Sequence, residues 1–366
     1  MKRIVTLTAA LILTFISIPI AQASSTIMLT EPTHRQINGE FIDDVLATSL
    51  GVTGRLGQLV FNPPPGTRNW IIDPALIEDV EAMSKGYTLT SGAAGIGQLF
   101  AKSWLAQLNT DTRFANVAAM AYGNPSAYWV HRLSPHEVNY VLTISRSRLE
   151  ALLGLTLTTP AYYQSHSGFG IASSDIAAIA DAASNFSLTA KYVDPSAIDT
   201  YRLALIKILN PYLTKDRRAY LIRDLTATAY SQIHLVHLSP GKFTVTSTHE
   251  KLPITLTNGF PSAIKVNLTV IPSNFKVVIG DLPQFLIPAK SKIQVLVPIT
   301  VLTSGASELT VELTTTSGEV LGDPVTYRVA LAVISPVATW FTTGAAIVLF
   351  IAATIQSIRR IRRRQR

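Results

Sequence analysis

The residues after Pro240-Gly241 alternate between apolar and polar side chains, and this alternation constrains the fold more than any other feature of the sequence. A period of two is typical of β-strands that bury one face. Asn258-Gly259 and Ser317-Gly318 are turn signals between the alternating runs. Strands are predicted within residues 243–248, 254–257, 264–270, 293–297, 309–313 and 325–329. This spacing predicts an all-β Ig-like sandwich over residues 243–335.

Before residue 240 the apolar residues recur mostly at helical spacing, as in Val138–Leu153 and Ile176–Ala180, the second with a serine cap at 173 or 174. Short apolar runs between them are strand candidates, namely Leu59–Phe61, Trp70–Ile72, Val117–Met120 and Leu155–Leu157. Strands that alternate with helices predict an α/β domain over residues 24–197. Residues 198–240 carry two helical stripes separated by Asn210-Pro211, which predicts a helical connector.

The N-terminus has the order of a secretory signal peptide over residues 1–23. Lys2 and Arg3 precede an apolar run, and Ala21-Gln22-Ala23 ends it with small residues that suit cleavage after Ala23. An uncleaved first membrane span is the alternative. Either interpretation predicts export of the chain that follows.

Near the C-terminus, residues 337–358 form a run of 22 residues without a charge. As a helix it reaches roughly 33 Å, enough for a bilayer core of about 30 Å. Trp340 suits the headgroup region at the outer end, and a basic tail at 359–366 follows, with Arg359, Arg360, Arg362, Arg363 and Arg364 as the predicted anchor. We therefore predict one C-terminal transmembrane helix, with the ectodomain outside the cell membrane and the tail in the cytoplasm.

The net charge of +8 comes from these two ends. The chain has 31 Lys and Arg against 23 Asp and Glu, and eight of the cations lie in the signal segment and the tail. The remainder is balanced at 23 against 23, so it offers no basic surface for nucleic acid. The absence of cysteine excludes disulfides and thiol chemistry.

Several segments resemble, in their order, an actinobacterial family of uncharacterised, membrane-anchored surface proteins. They are Gly54-Arg55-Leu56, Asp73-Pro74-Ala75-Leu76, Met83 to Tyr87, Trp104-Leu105, Ala121 to Pro125, Leu252 to Asn258 and Thr315 to Gly318. The resemblance implies a part similar to polysaccharide deacetylase or glycosidase barrels, followed by an Ig-like domain. It also implies a place near the machinery that exports peptidoglycan precursors.

This chain departs from the family pattern in two ways. About 170 residues precede the connector, whereas a complete eight-unit barrel needs about 250, so a reduced or partial barrel is predicted. Where relatives tend to show Tyr-x-Asp-Pro-Asp, this chain has Tyr122-Gly123-Asn124-Pro125-Ser126. Neutral groups cannot replace carboxylates as general bases, which counts against carboxylate chemistry at this segment.

Asp73 is the one candidate catalytic residue, since it follows the apolar run Trp70–Ile72 and precedes a helical pattern. Glycoside hydrolysis needs a second carboxylate within about 10 Å. Glu78 and Asp79 are expected to face solvent or the helix N-terminus. The favoured interpretation is that Asp73 caps the following helix, with Pro74 at its first position.

The histidines do not have the spacing of a metal site. His131 and His136 are separated by Pro135, and His234 and His237 are expected to pack or to cap a helix. We predict no metal and no cofactor.

The leading prediction is a non-catalytic binding or scaffolding element of the cell envelope. Its expected partners are the membrane and either wall glycan or a membrane protein of envelope synthesis. The alternative is a glycan hydrolase or deacetylase that uses Asp73.

Overall fold

The computed structural model describes residues 24–166, 169–332 and 336–364. The predicted signal peptide lies outside the described residues, as do residues 333–335 at the end of the predicted sandwich. The chain forms two compact units, each built from non-contiguous segments. One contains the described parts of residues 1–34, 40–124 and 142–163, and the other contains those of residues 35–39, 125–141 and 164–366. The predicted domain boundaries stay predictions, because compactness alone does not show independent folding.

In chain order, the first elements are β1 Ser24–Leu29, α1 Val45–Leu50, α2 Arg55–Phe61, β2 Thr67–Ile72, α3 Pro74–Ser84, α4 Gln98–Thr112, β3 Asn116–Ala119, α5 Ala127–Leu133 and α6 Val138–Leu153. They are followed by α7 Ser173–Thr189, α8 Asp199–Ile208, α9 Lys215–Ile233, β4 Val236–Leu238, β5 Lys242–Val245, β6 His249–Asn258 and β7 Ile264–Pro272. The last are β8 Val277–Ile279, β9 Phe285–Ile287, β10 Ser291–Val301, β11 Gly305–Thr314, β12 Val320–Leu331 and α10 Pro336–Arg364.

The first unit is built on a parallel sheet in the order β1-β2-β3. Trp70 and Ile72 of the central strand are buried, and the indole of Trp104 donates to the carbonyl of Leu56 within the same core. The register places Leu29, Ile72 and Ala119 side by side, so the three strands end at one edge. Three strands form a small part of the eight in a complete barrel.

Two predicted strands of this unit are wrong. Leu59–Phe61 belongs to α2, because Leu56 and Val60, four residues apart, point into the core as one helical face. Leu155–Leu157 lies outside the strands. The Leu157 N–H donates to Glu150 and its carbonyl accepts from Arg146, so side chains bind its backbone in place of a neighbouring strand.

The second unit contains two sheets, in the orders β4-β6-β10-β8 and β5-β12-β11-β7-β9. The six predicted strand segments overlap β5, β6, β7, β10, β11 and β12. Side chains from both sheets share one core, among them Leu256, Val297, Val311 and Tyr327. β12 pairs with β11 antiparallel and with β5 parallel, and Arg328 lies opposite Lys242 in the parallel pair.

The predicted connector contains α8 and α9, which the Asn210-Pro211 segment separates. Thr214 caps α9 by accepting from the Arg217 N–H at 3.3 Å. The buried Arg218 side chain donates to the carbonyls of Ile208 and Asn210 and so closes the end of α8.

The predicted transmembrane helix at residues 337–358 is corrected by the structure. The segment lies within helix α10, but among the described residues no helix combines the length and the apolar character needed to cross a membrane. The run contains polar residues, among them Thr343, Thr354, Gln356 and Ser357, which lower its apolar character, and arginines follow it. The described fold is a mixture of helices and sheets without the predicted span.

Candidate functional site

The carboxyl ends of β1, β2 and β3 bring Thr30, Asp73 and Tyr122 together in the first unit. Each residue follows its strand by one to three positions. In open parallel sheets, ligands bind outside the carboxyl ends of the strands, which makes this edge a candidate functional site.

Asp73 is completely buried and binds two backbone groups. Its Oδ1 accepts from the N–H of Ala75 at 2.9 Å and from the N–H of Gly123 at 2.8 Å. The first bond caps α3, and Pro74 occupies the first helical position, which confirms the predicted cap. The second bond joins the end of β2 to the turn after β3, a contact that no local sequence signal indicates.

The environment of Asp73 also changes its acidity. Burial raises the pKa of Asp73 to about 7, although hydrogen bonds from Gly123 and Ala75 favour the ionised form. Its Oδ2 lies 3.4 Å from the Thr30 hydroxyl, a long contact. A carboxyl group that titrates near neutrality can hold and release a proton, so the pKa alone is compatible with acid–base chemistry.

Glu78 and Asp79 do not simply face solvent. Asp79 is buried and accepts from the Thr33 hydroxyl at 2.8 Å. Glu78 binds Arg148 at 2.7 Å through one oxygen and accepts from the Tyr122 hydroxyl through the other. These carboxylates neighbour Asp73, but each is held by a protein partner, which favours a structural network.

Tyr122 and Arg148 are the site residues that sequence reasoning missed. Burial, and next the negative charge of Glu78, hold the pKa of Tyr122 well above its usual value, so the hydroxyl stays protonated and donates. Arg148 contacts Glu78 from 70 positions away in the chain. The weak signal was Tyr122 itself, which begins a segment noted only for its missing carboxylates.

Asn124 and Ser126, the neutral replacements in that segment, have separate local roles. Asn124 is buried in a left-handed conformation, with φ of 46°, and its N–H donates to the Ala121 carbonyl, so it forms the turn after β3. Ser126 precedes α5, and its N–H donates to Leu209 at 3.0 Å in the second unit.

A second polar cluster surrounds the buried side chain of His34. Its Nδ1 lies 2.6 Å from Asp43 Oδ1, and its Nε2 lies 3.8 Å from Glu31. Burial opposes ionisation of Glu31, but its interactions with His34 and Arg55 outweigh this effect and lower the pKa of Glu31. The Ile42 N–H donates to the His34 carbonyl, so the cluster fixes the segment between β1 and α1.

The other histidines of the sequence analysis belong to the second unit. His131 and His136 are exposed, and His234 binds Tyr230 and Asp323 at 2.7 and 3.1 Å. Within the described ranges, no three His, Cys, Asp or Glu side chains are grouped to hold a metal ion.

The predicted anchor residues all lie on α10. Trp340 and Arg360 are exposed. The side chains of Arg359, Arg362, Arg363 and Arg364 lie outside the described part of the chain, and their anchor role stays a prediction.

Comparisons with known proteins give a family and a loose structural likeness. A search of curated proteins found no match. Among solved structures, the chain is similar to WR4, an MSP family member of Caenorhabditis elegans, at 10% identity and a TM-score of 0.21, over 27% of this chain and 98% of that one. It is also similar to SSP-19, an MSP-domain protein like family member of C. elegans, at 16% identity and a TM-score of 0.20, over 25% and 92%.

A third solved structure, native alpha-2-macroglobulin from Escherichia coli, is 15% identical with a TM-score of 0.22, and the match covers 26% of this chain and 16% of that one. The family match is longer and covers residues 173–365, more than half of the chain. The chain therefore belongs to the family of unknown function DUF6049.

Proposed function

We propose that this protein is a non-catalytic binding or scaffolding element of the cell envelope. The observation that carries the proposal is the state of Asp73, the only catalytic candidate of the sequence analysis. It is completely buried, and one oxygen is occupied by the N–H groups of Ala75 and Gly123. A carboxylate used in this way holds α3 and the turn after β3 in place.

The neighbouring carboxylates support the same proposal. Asp79 is bound by Thr33, and Glu78 is bound by Arg148 and Tyr122. A glycosidase needs one carboxyl group as an acid and a second that reaches the sugar or its attacking water. The envelope location rests on the predicted signal peptide at residues 1–23, and it stays a prediction, as does the link to precursor export.

A second candidate is a hydrolase or deacetylase that uses Asp73 as an acid–base group. The observation in its favour is the pKa of about 7 at the carboxyl edge of a parallel sheet, where one oxygen remains for a proton. The two proposals differ in what Asp73→Asn does, since an amide keeps the acceptor of the cap but cannot exchange a proton.

The test is to incubate purified full-length protein with cell-wall glycan and to measure retained protein and released reducing ends together. We expect retention without product, and we expect Asp73→Asn to complement a deletion strain. Asp73→Ala removes the acceptor and should cost about 2 kcal/mol of stability. Product formation that disappears in Asp73→Asn at an unchanged melting temperature would reject the non-catalytic proposal.

A further inference from the structure

The second unit contains a cavity of about 460 Å³ that the sequence analysis did not anticipate. Its walls come from the end of α5, the 3-10 turn Pro135–Glu137, and helices α7 and α8. This volume lies within the range of small-ligand sites, roughly 300–1,000 Å³. The space exists because α7 presents the small residues Ala180, Ala183, Ser184 and Ser187 on one face, at helical spacing.

The wall contains an unused hydrogen-bonding group. Ser134 is 5% exposed, and its Oγ is buried with no hydrogen-bond partner among the described residues. Its backbone is fully engaged, since its N–H donates to Val130 and its carbonyl accepts from Glu137. A buried hydroxyl without a partner is unfavourable, and a ligand that offers one would satisfy it after a rotation about χ1.

The charged residues of the cavity are already paired. Arg202 Nε lies 3.0 Å from both carboxylate oxygens of Glu137, and its guanidinium also lies 3.5 Å from Asp199. Stacking over the Tyr140 ring, at 3.6 Å, fixes its plane. At the rim Lys191 pairs with Glu319. A charged ligand would have to compete with these ion pairs, so the cavity favours a neutral one.

A neutral ligand can still form hydrogen bonds here. A guanidinium has five N–H donors, so Arg202 can hold Glu137 and also donate to a hydroxyl oxygen. Ser184 and Ser187 add hydroxyl groups, while Leu133 and Leu188 add apolar surface. A sugar ring matches this combination, because it has hydroxyl groups at its edge and C–H groups on its faces.

The secondary structure of the walls counts against a peptide. The lining residues lie on helices, in turns and next to helix ends, and none belongs to a strand. An extended peptide gains affinity mainly by main-chain pairing with a sheet edge, which this cavity does not offer.

We propose that the cavity between α7, α8 and the Pro135–Glu137 turn binds an uncharged sugar of one or two rings, with Ser134 and Arg202 as its polar contacts. This inference rests on the proposed binding function and names its ligand class. The site is pre-organised, because the ion pairs and the Tyr140 contact fix its polar groups before a ligand arrives.

Ala183 and Ala177 offer a matched pair of substitutions on α7. Ala183 lines the cavity, whereas Ala177 is exposed on the same helix and does not line it. Ala183→Leu should fill the space, and Ala177→Leu makes the same chemical change outside it. Ser134→Ala removes only the hydroxyl and retains the volume, so it serves as a second variant if Ala183→Leu does not fold.

Ligand-observed NMR on the full chain would test the site with N,N′-diacetylchitobiose and maltose as neutral probes, and with glucuronate and acetyl-dialanine amide as charged and peptide probes. At least one neutral sugar should bind. Ala183→Leu should weaken it at least tenfold, Ser134→Ala about threefold, and Ala177→Leu not at all. Failure of both neutral sugars to bind, stronger binding of glucuronate or the peptide, or unchanged binding in Ala183→Leu would overturn the assignment.

The same variants separate this inference from the proposed function. If wall glycan still binds the wild type, but the small sugars do not bind or bind Ala183→Leu unchanged, the cavity assignment fails and the binding function stands. If the wild type binds the small sugars in the cavity but retains no wall glycan, the cavity assignment stands and the envelope function fails.

Discussion

Asp73 in the first unit and Asn258 in the second have the same structural task in different chemical forms. Both are buried at the end of a strand, and both bind backbone groups where the chain changes direction. The two N–H groups of the Asn258 amide are shared among the carbonyls of Ser262, Ile287 and Pro288, and its oxygen accepts from the Phe260 N–H, with distances of 2.9 to 3.2 Å. Asp73 accepts from two N–H groups.

The difference shows how a buried polar residue can make stability depend on pH. An amide donates and accepts without a charge, so Asn258 satisfies its surroundings at every pH. A carboxyl group in an equally buried position must be either desolvated as an anion or protonated, and burial raises the pKa of Asp73 to about 7. The first unit is therefore held at this point by a titratable side chain, Asp73, whereas Asn258 of the second unit does not titrate.

The largest expected effect is the pH dependence that Asp73 confers. Its pKa rises from 3.8 in the unfolded chain to about 7 in the fold, so the folded state binds more protons between these values. Asp73 therefore adds its full contribution to the free energy of unfolding below about pH 4. This contribution declines by up to roughly 4 kcal/mol as the pH rises through 7. Urea unfolding from pH 4 to 8 gives the difference in unfolding free energy between the wild type and Asp73→Asn. A difference that does not change with pH would contradict the prediction.

The second effect is that of replacing Asn258 with aspartate, the residue type found at position 73. In Asn258→Asp, three carbonyls lose their donor and face an acidic oxygen. We expect a loss of about 3 kcal/mol at pH 7, which grows with rising pH because the new carboxyl resists ionisation. Urea unfolding at pH 5 and pH 8 measures both the loss and its direction. A loss that is equal at the two pH values would mean that the introduced carboxyl is solvated.

The smallest effect compares the tyrosine hydroxyls of the two units. Tyr122 donates to the carboxylate of Glu78, whereas Tyr327 donates to the backbone carbonyl of Ser239. Hydrogen bonds to charged groups are the stronger, so Tyr122→Phe should cost about 2 kcal/mol and Tyr327→Phe about 1 kcal/mol. Thermal melts of the two variants measure the order. The reverse order would show that Glu78 gains little from Tyr122 beyond its pair with Arg148.

The sequence predicted those features that depend on neighbouring residues. The Asp73 cap follows from Asp-Pro before an apolar helical pattern, and the sandwich strands follow from alternation, both of which are local. Leu59–Phe61 was misassigned because three apolar residues in a row have no measurable period. The predicted span at 337–358 rests on the length of an uncharged run, and that length takes no account of the polar residues within the run.

The contacts that define the candidate site could not be predicted from local sequence patterns. Glu78 meets Tyr122 across 44 positions and Arg148 across 70, and only the order of β1, β2 and β3 in the sheet brings them together. The cavity of the second unit depends on small residues of α7, which in the sequence resemble any helix rich in alanine. Tertiary packing decides whether such residues contact a neighbouring helix or leave a space.

The parallel pair of β5 and β12 has a consequence for the order in which the second unit can fold. Lys242 of β5 lies opposite Arg328 of β12, so β5 pairs with a strand whose residues come 86 positions later in the chain. Contacts between distant residues require a large loop to close before they stabilise the chain, and they slow folding. β5 lies at the edge of its sheet, so during synthesis it has no partner strand there until the ribosome has released residues 328–331. The interval in which β5 lacks this partner, and can pair with a wrong strand instead, therefore ends only when β12 is made.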